Sequence, residues 1–179
     1  VNKKKAFGLD LSVEQIKACH EWNLDAQVMA LENVTKKFDC ATAIFDVLNY
    51  IPRKELKAFI TQTNIVLNQG AYFIFDVNSY FGFDEVAQGT ITIDNDDMFI
   101  AIDANFEDDK LQTDITLFTK EENGLFSKES DTIIQEYHSK EYLTKLLKEC
   151  GFEIQEIRDF FLHTDEIADK LIFICKKIA

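Results

Sequence analysis

The chain is short of punctuation. It has one proline, Pro52, and six glycines, Gly8, Gly70, Gly82, Gly89, Gly124 and Gly151, so widely dispersed that no glycine-rich loop exists to bring backbone against a phosphate or a cofactor. The four cysteines, Cys19, Cys40, Cys150 and Cys175, include no C-x-x-C pair, which argues against a metal or dithiol redox centre and for reduced thiols in or near a core. Basic residues are scarce, 19 against 32 acidic ones, for a net charge of -13. A surface of that sign repels duplex nucleic acid and anionic membranes, and the basic runs Lys3-Lys4-Lys5 and Lys176-Lys177 stand near the ends. No apolar run approaches the roughly 20 residues of a membrane span, and no basic-then-apolar leader opens the sequence. A cytoplasmic protein without nucleic-acid or membrane partners is the expectation.

What is present is a core. Of the 179 residues, 46% are apolar and 12% aromatic, enough for one globular domain with an insertion. The stretch Ala6–Asp10 reads as a short strand ending in a carboxylate, and Ser12-Val-Glu-Gln15 as a capping box that starts a helix running to about Trp22. Ala26–Ala30 and Asp39–Phe45 read as buried strands. Pro52 suits a first helical turn, and Leu56, Phe59, Ile60, Thr63, Val66 and Leu67 recur at helical spacing until Gly70 closes the helix. Ala71–Asp76 is a further buried strand. The β-α-β-β-α-β rhythm predicts a Rossmann-like, doubly wound, mostly parallel α/β sheet with its ligand crevice beyond the carboxyl ends of the strands, where Asp10, Asp46 and Asp76 all fall.

From about Thr90 the period changes to two. Phe99–Phe106 and Leu111–Leu117 alternate, Asn123-Gly124 signals a hairpin, and the segment predicts an antiparallel β meander inserted into the α/β frame. Ser139 then caps a helix carrying Leu143, Leu146, Leu147 and Cys150, Gly151 ends it, and strands follow at Phe152–Asp159 and Lys170–Cys175. The expected division is a core over residues 1–80, an insertion or lid over 81–137, and the rest of the core over 138–179.

The series "FGLDLS", "KFDCATAIFDVLNYI", "LNQGAYFIFDVNSYF", "LLKECGFEIQEI" and "LIFICKK" resembles, in order and spacing, the successive motifs of class I S-adenosylmethionine-dependent methyltransferases that follow the family's glycine motif. The "FDVNS" ending with an acidic antiparallel insertion behind it is similar to the small bacterial enzymes of the small-molecule methyltransferase group. The resemblance implies S-adenosylmethionine as cofactor and a small-molecule methyl acceptor as partner. It places Asp10, with Leu11 beside it, against the cofactor ribose; Glu32 and Asn33 near the adenine; and Phe45 and Asp46 along the methionine part. Asn49 and Tyr50 would line the methyl-transfer site, and His138, where the insertion returns, is the candidate general base. Each has a plainer alternative: a helix-start aspartate for Asp10, a surface acid for Glu32, a helix cap for Asn49, a structural histidine for His138. Asp76, Asn78 and Ser79 are candidates to touch substrate. No metal site is expected.

Methyl transfer from a sulfonium is an in-line displacement that relies on proximity and desolvation, so the lack of a catalytic triad agrees with the reading. Two alternatives stand beside it. One is a non-catalytic or truncated relative without a complete cofactor site. The other is a dinucleotide-dependent oxidoreductase, which shares the rhythm and an acid at the second strand's end but not "FDVLNYI". The family's first strand and glycine loop have no counterpart in these 179 residues. The resemblance therefore implies a unit of roughly 30 residues upstream of Val1, with a Gly-x-Gly pattern and a strand that fits between Ala6–Asp10 and Asp39–Phe45.

Overall fold

The structure, a computed structural model, describes residues 5–179. Strand β1 (Gly8–Asp10), helix α1 (Val13–Glu21) and strand β2 (Ala26–Val28) form a β-α-β unit whose two strands pair in parallel. Ser12 caps α1 as its sequence predicts, its Oγ accepting the N–H of Gln15 at 3.2 Å. Strand β3 (Phe38–Ala43), helix α2 (Arg53–Ile65) and strand β4 (Leu67–Asn78) form the second such unit, also parallel. The two units share no strand-to-strand hydrogen bond among the described residues and are separate sheets. At their amino ends the rings of Phe7 and Phe38 stack, 6.1 Å apart.

The parallel character stops there, which corrects the expected mostly parallel sheet. The main sheet runs β3-β4-β10-β9, where β9 (Phe152–Phe160) and β10 (Lys170–Lys177) pair antiparallel with each other, and β10 lies antiparallel to β4. The reason is the connection: residues 161–169 turn the chain straight back, whereas a parallel partner would need a crossover helix. A second correction concerns Gly70. Helix α2 ends at Ile65 with Val66 as its C-cap, and Gly70 lies inside β4 at φ +78°, where the register against β3 slips between Phe38 and Cys40. Only glycine takes that conformation at little cost, so this glycine makes a bulge instead of stopping a helix.

Helices α2 and α3 (Lys140–Glu149) supply the buried Leu56, Ile60, Leu143, Leu146 and Leu147 to one core with Phe73, Phe75, Val77, Phe152 and Phe173 of the sheet. Phe75 is the hub, 4.8 Å from the ring of Phe73 and stacked on Phe173 at 4.9 Å. Ser139 caps α3 through the N–H of Tyr142, and Gly151 follows its end at φ +82°.

The insertion is the expected meander: β5 (Gly89–Asn95), β6 (Met98–Glu107), β7 (Lys110–Lys120) and β8 (Phe126–Glu136), all antiparallel. The β6–β7 turn holds Asp108 and Asp109 at positive φ, the geometry of a tight hairpin. A π-helical turn, Gly82–Ala87, leads into it. Its small core joins Phe83, Ala104 and Leu111, with Phe106 and Tyr137 packed alongside. Among the described residues no helix is long and apolar enough to cross a membrane.

Candidate functional site

The carboxyl ends of β3 and β4 meet in a charged clasp. After Ala43 the chain reverses through Phe45 and Asp46, both left-handed at φ +68° and +60°. Two successive side-chain-bearing residues in that region cost on the order of 1 kcal/mol each, so something must hold them. Asp76 does so: its carboxylate accepts the N–H of Phe45 at 2.8 Å and that of Asp46 at 3.4 Å. Lys170, the first residue of β10, donates to the Asp46 carboxylate and, at 3.2 Å, to Asp76. Burial pushes the Asp46 carboxyl above its ordinary range, only partly offset by Lys170. Burial opposes the Lys170 ammonium, but its bonds to Asp46 and Asp76 hold it above its usual value. Two carboxylates on one ammonium leave the clasp net negative. Beside it the Phe45 side chain is 82% exposed and Tyr50 is 51% exposed, with burial and then Asp46 pushing the phenol up.

The next turn, Val47–Tyr50, is fixed by residues at and just beyond the end of β8. Asn49 is fully buried; its Nδ2 donates to the Glu136 carbonyl at 2.9 Å and its Oδ1 accepts the N–H of Asn78 at 3.0 Å. The Glu136 carboxylate also accepts the N–H of Arg53 at 2.7 Å, serving the amino end of α2 where Pro52 offers no side-chain cap. His138 is 1% exposed, with Nε2 3.1 Å from the Leu48 carbonyl and 3.2 Å from that of Ile51. Against two carbonyls Nε2 carries the proton, and Nδ1 is buried without a partner. Burial holds the ring below its ordinary pKa, outweighing those carbonyls.

This geometry revises two expected roles. Asn49 does not line an open methyl-transfer site, because both ends of its amide are consumed in the interior, and it is no helix cap. His138 is not presented to a ligand. Both are ties between the end of β8 and the Val47–Tyr50 turn. Tyr50 lies near enough to Asp46 and Lys170 for their charges to act on its phenol, and Phe45 and Asp46 are neighbours in the reversed turn. Asp10 ends β1; its Oδ1 accepts the N–H of Ser12 at 2.8 Å, just before α1, and its other oxygen makes no hydrogen bond among the described residues. Leu11 beside it is 74% exposed. Glu32 and Asn33 lie exposed in a 3₁₀ turn, Leu31–Asn33, after β2. Among the described residues no cluster could hold a metal ion.

Sequence reasoning missed Lys170 and Glu136. Lys170 carried a signal, a charge at the very start of the apolar strand run Leu171–Cys175. Glu136 carried none, because the groups it holds at the turn, the Asn49 amide and the Arg53 N–H, are more than 80 residues away in sequence.

No protein-family model matches the chain, and no curated protein sequence does. Solved structures do match it. An S-adenosylmethionine-dependent methyltransferase from Clostridium acetobutylicum is 23% identical, with a TM-score of 0.82 over 98% of this chain and 76% of its own. A sugar N-methyltransferase from Streptoalloteichus is 13% identical, with a TM-score of 0.76 over 97% and 71%. An amino pentose methyltransferase of calicheamicin biosynthesis, from Micromonospora echinaspora, is 14% identical with a TM-score of 0.69 over 96% and 73%. The chain has the fold of S-adenosylmethionine-dependent methyltransferases.

Proposed function

We propose that the protein transfers a methyl group from S-adenosylmethionine to a small-molecule acceptor, and that the acceptor is an amine. The observation that carries this is the clasp. A strained turn held by Asp76 and Lys170 at the carboxyl ends of parallel strands presents an aromatic ring and net negative charge, which suits a sulfonium cation. The residues fit the donor: the second Asp10 oxygen can take a ribose hydroxyl, Leu11 offers an apolar wall, Glu32 stands after β2 for the adenine amino group, and Phe45 and Asp46 flank the methionine part. When bound, S-adenosylmethionine supplies the electrophilic methyl carbon; the chain's own part is to orient it and to exclude water. The amine reading is supported by neighbours described as amino pentose and sugar N-methyltransferases, and by a net charge of -13 that draws ammonium ions. Residues 81–137 would form the lid that selects the acceptor.

A domain of this fold without a complete cofactor site is the second reading, favoured by the absence, among the described residues, of strand pairing between the β1-β2 sheet and the β3-β4-β10-β9 sheet. Titration calorimetry of the full-length protein with S-adenosylmethionine separates the two. Binding is expected, and Asp10→Ala should weaken it by about 1.5–3 kcal/mol, the range for hydrogen bonds to a charged group. No binding by the unaltered protein would establish the second reading.

A further inference from the structure

A histidine and a carboxylate stand paired outside the clasp. His163 lies in the connection from β9 to β10, with Nδ1 3.0 Å from Asp169 Oδ1. The Asp169 side chain is 3% exposed and that of His163 57%. The other Asp169 oxygen accepts the backbone N–H groups of Leu162 and, at 3.2 Å, of His163, so the carboxylate is fixed before the ring is added. Facing a carboxylate, Nδ1 carries the proton, and Nε2 is left with a lone pair. Among the described residues Nε2 makes no hydrogen bond, and the side chain that carries it is more than half exposed. A buried carboxylate behind one ring nitrogen and a free lone pair on the other is the arrangement of an oriented base.

Its place in the fold is the candidate site's end of the sheet. The Asp169 carbonyl accepts the N–H of Ser79, just beyond the carboxyl end of β4, at 2.9 Å, and Ser79 Oγ donates to the Ala168 carbonyl at 2.6 Å. The next residue is Lys170 of the clasp. The loop cannot drift from this position freely, because the backbone of Gly82 packs so tightly on it that an added Cβ would lie 2.2 Å from the Asp169 carbonyl oxygen. The other histidines are otherwise engaged: His20 Nε2 is 2.8 Å from the Ala26 carbonyl, and His138 is interior.

We propose that His163, oriented by Asp169, is the proton acceptor for the amine. The proposal rests on the methyltransferase reading and adds to it a residue and a step. An alkylammonium has no lone pair with which to attack carbon. Nε2 takes one proton from R–NH₃⁺, giving R–NH₂ and an imidazolium stabilised by Asp169. The amine lone pair then forms the N–C bond while the C–S bond of the sulfonium breaks and its electron pair stays on sulfur, giving R–NH₂⁺–CH₃ and S-adenosylhomocysteine. The exposed ring returns its proton to solvent.

The test uses full-length protein, S-adenosylmethionine, and glucosamine, galactosamine and ethanolamine as acceptors, with methylated amine measured by mass spectrometry and cofactor affinity by calorimetry. His163→Ala should lower turnover roughly 100- to 10,000-fold, leave cofactor affinity within about twofold, and regain turnover when imidazole is added. Asp169→Asn keeps an oxygen for the two backbone N–H groups but turns an NH₂ toward Nδ1, which forces the proton onto Nε2. Long-range ¹H–¹⁵N spectra of the ligand-free protein should show the Nδ1–H tautomer in the unaltered chain and the Nε2–H tautomer in this variant. Unchanged turnover in His163→Ala, absence of imidazole rescue, or an Nε2–H tautomer in the unaltered protein overturns the proposal alone. Cofactor binding without methylation of any of the three amines also overturns it, while leaving methyl transfer to another acceptor standing. Failure to bind S-adenosylmethionine overturns the functional reading itself.

Discussion

The molecule contains two four-stranded sheets that obey different physics. The β3-β4-β10-β9 sheet lays one face under α2 and α3, and Phe73, Phe75, Val77, Phe152 and Phe173 on that face are all but inaccessible to solvent. The meander is paired in unbroken register, yet buries only Ala104, Leu111 and Gln135 of its own strands. Its pairs Ile91↔Ile102, Ile93↔Ile100, Ile100↔Leu117 and Ile102↔Ile115 gather one apolar face, on which Ile91 remains 61% exposed and Ile93 47%. Strand pairing thus shapes the meander, while helix-covered burial stabilises the core sheet. The meander gains its position at its root, where Glu136 and His138 grip the turn beside the clasp.

The largest effects should separate the two sheets. Phe75→Ala removes a fully buried ring from the centre of the core and should cost about 3–5 kcal/mol in urea unfolding. Ile93→Thr, on the half-open face of the meander, should stay within about 0.5 kcal/mol. Similar costs for the two would show that the meander face is covered in the folded protein, and the contrast would fail.

A middle-sized effect tests the root. Asn49→Ala removes the partner of the Asn78 N–H and of the Glu136 carbonyl, both part-buried, at up to about 1–3 kcal/mol for each such group. The same substitution should loosen the meander relative to the core, seen as faster amide exchange in β8 than in β4. Uniform acceleration in both strands would mean that the root is simply part of the core.

How far these regions could be read from sequence follows from the same contrast. Period-two alternation, Asn123-Gly124 and the capping serines Ser12 and Ser139 act over a few residues, so the meander and the helix starts were legible. The apolar runs at Asp39–Phe45 and Ala71–Asp76 announced buried strands, but not the direction of their neighbours. The antiparallel entry of β10 beside β4 is decided by the 161–169 connection, which has no periodic signal. Gly70 illustrates the ambiguity of a single glycine, since it serves a helix end and a strand bulge equally well. At the site, Asp46 and Asp76 were legible as carboxylates at strand ends. The bonds that give Asn49 and His138 interior roles join residues 87 and 90 apart, and a one-dimensional pattern does not encode them.

The smallest effect concerns His138 and is read against pH. Burial holds this imidazole below its ordinary pKa of 6.5, with Arg53 acting in the same direction and Glu136 and the Leu48 and Ile51 carbonyls opposing. The native state therefore favours the neutral ring. In the unfolded chain the ring binds its proton at about the ordinary value, so as pH falls below that point the unfolded state takes up more proton than the native one. The stability gained from a neutral His138 is present above pH 6.5 and is lost as pH falls toward the lower native value. Urea unfolding between pH 7.5 and 5 should show this acid limb. His138→Gln keeps an N–H for the two carbonyls and cannot titrate, so it should flatten the limb by less than one proton while Ile93→Thr leaves it unchanged. An equal limb in His138→Gln would assign the pH dependence to other groups and remove the root from the account of acid sensitivity.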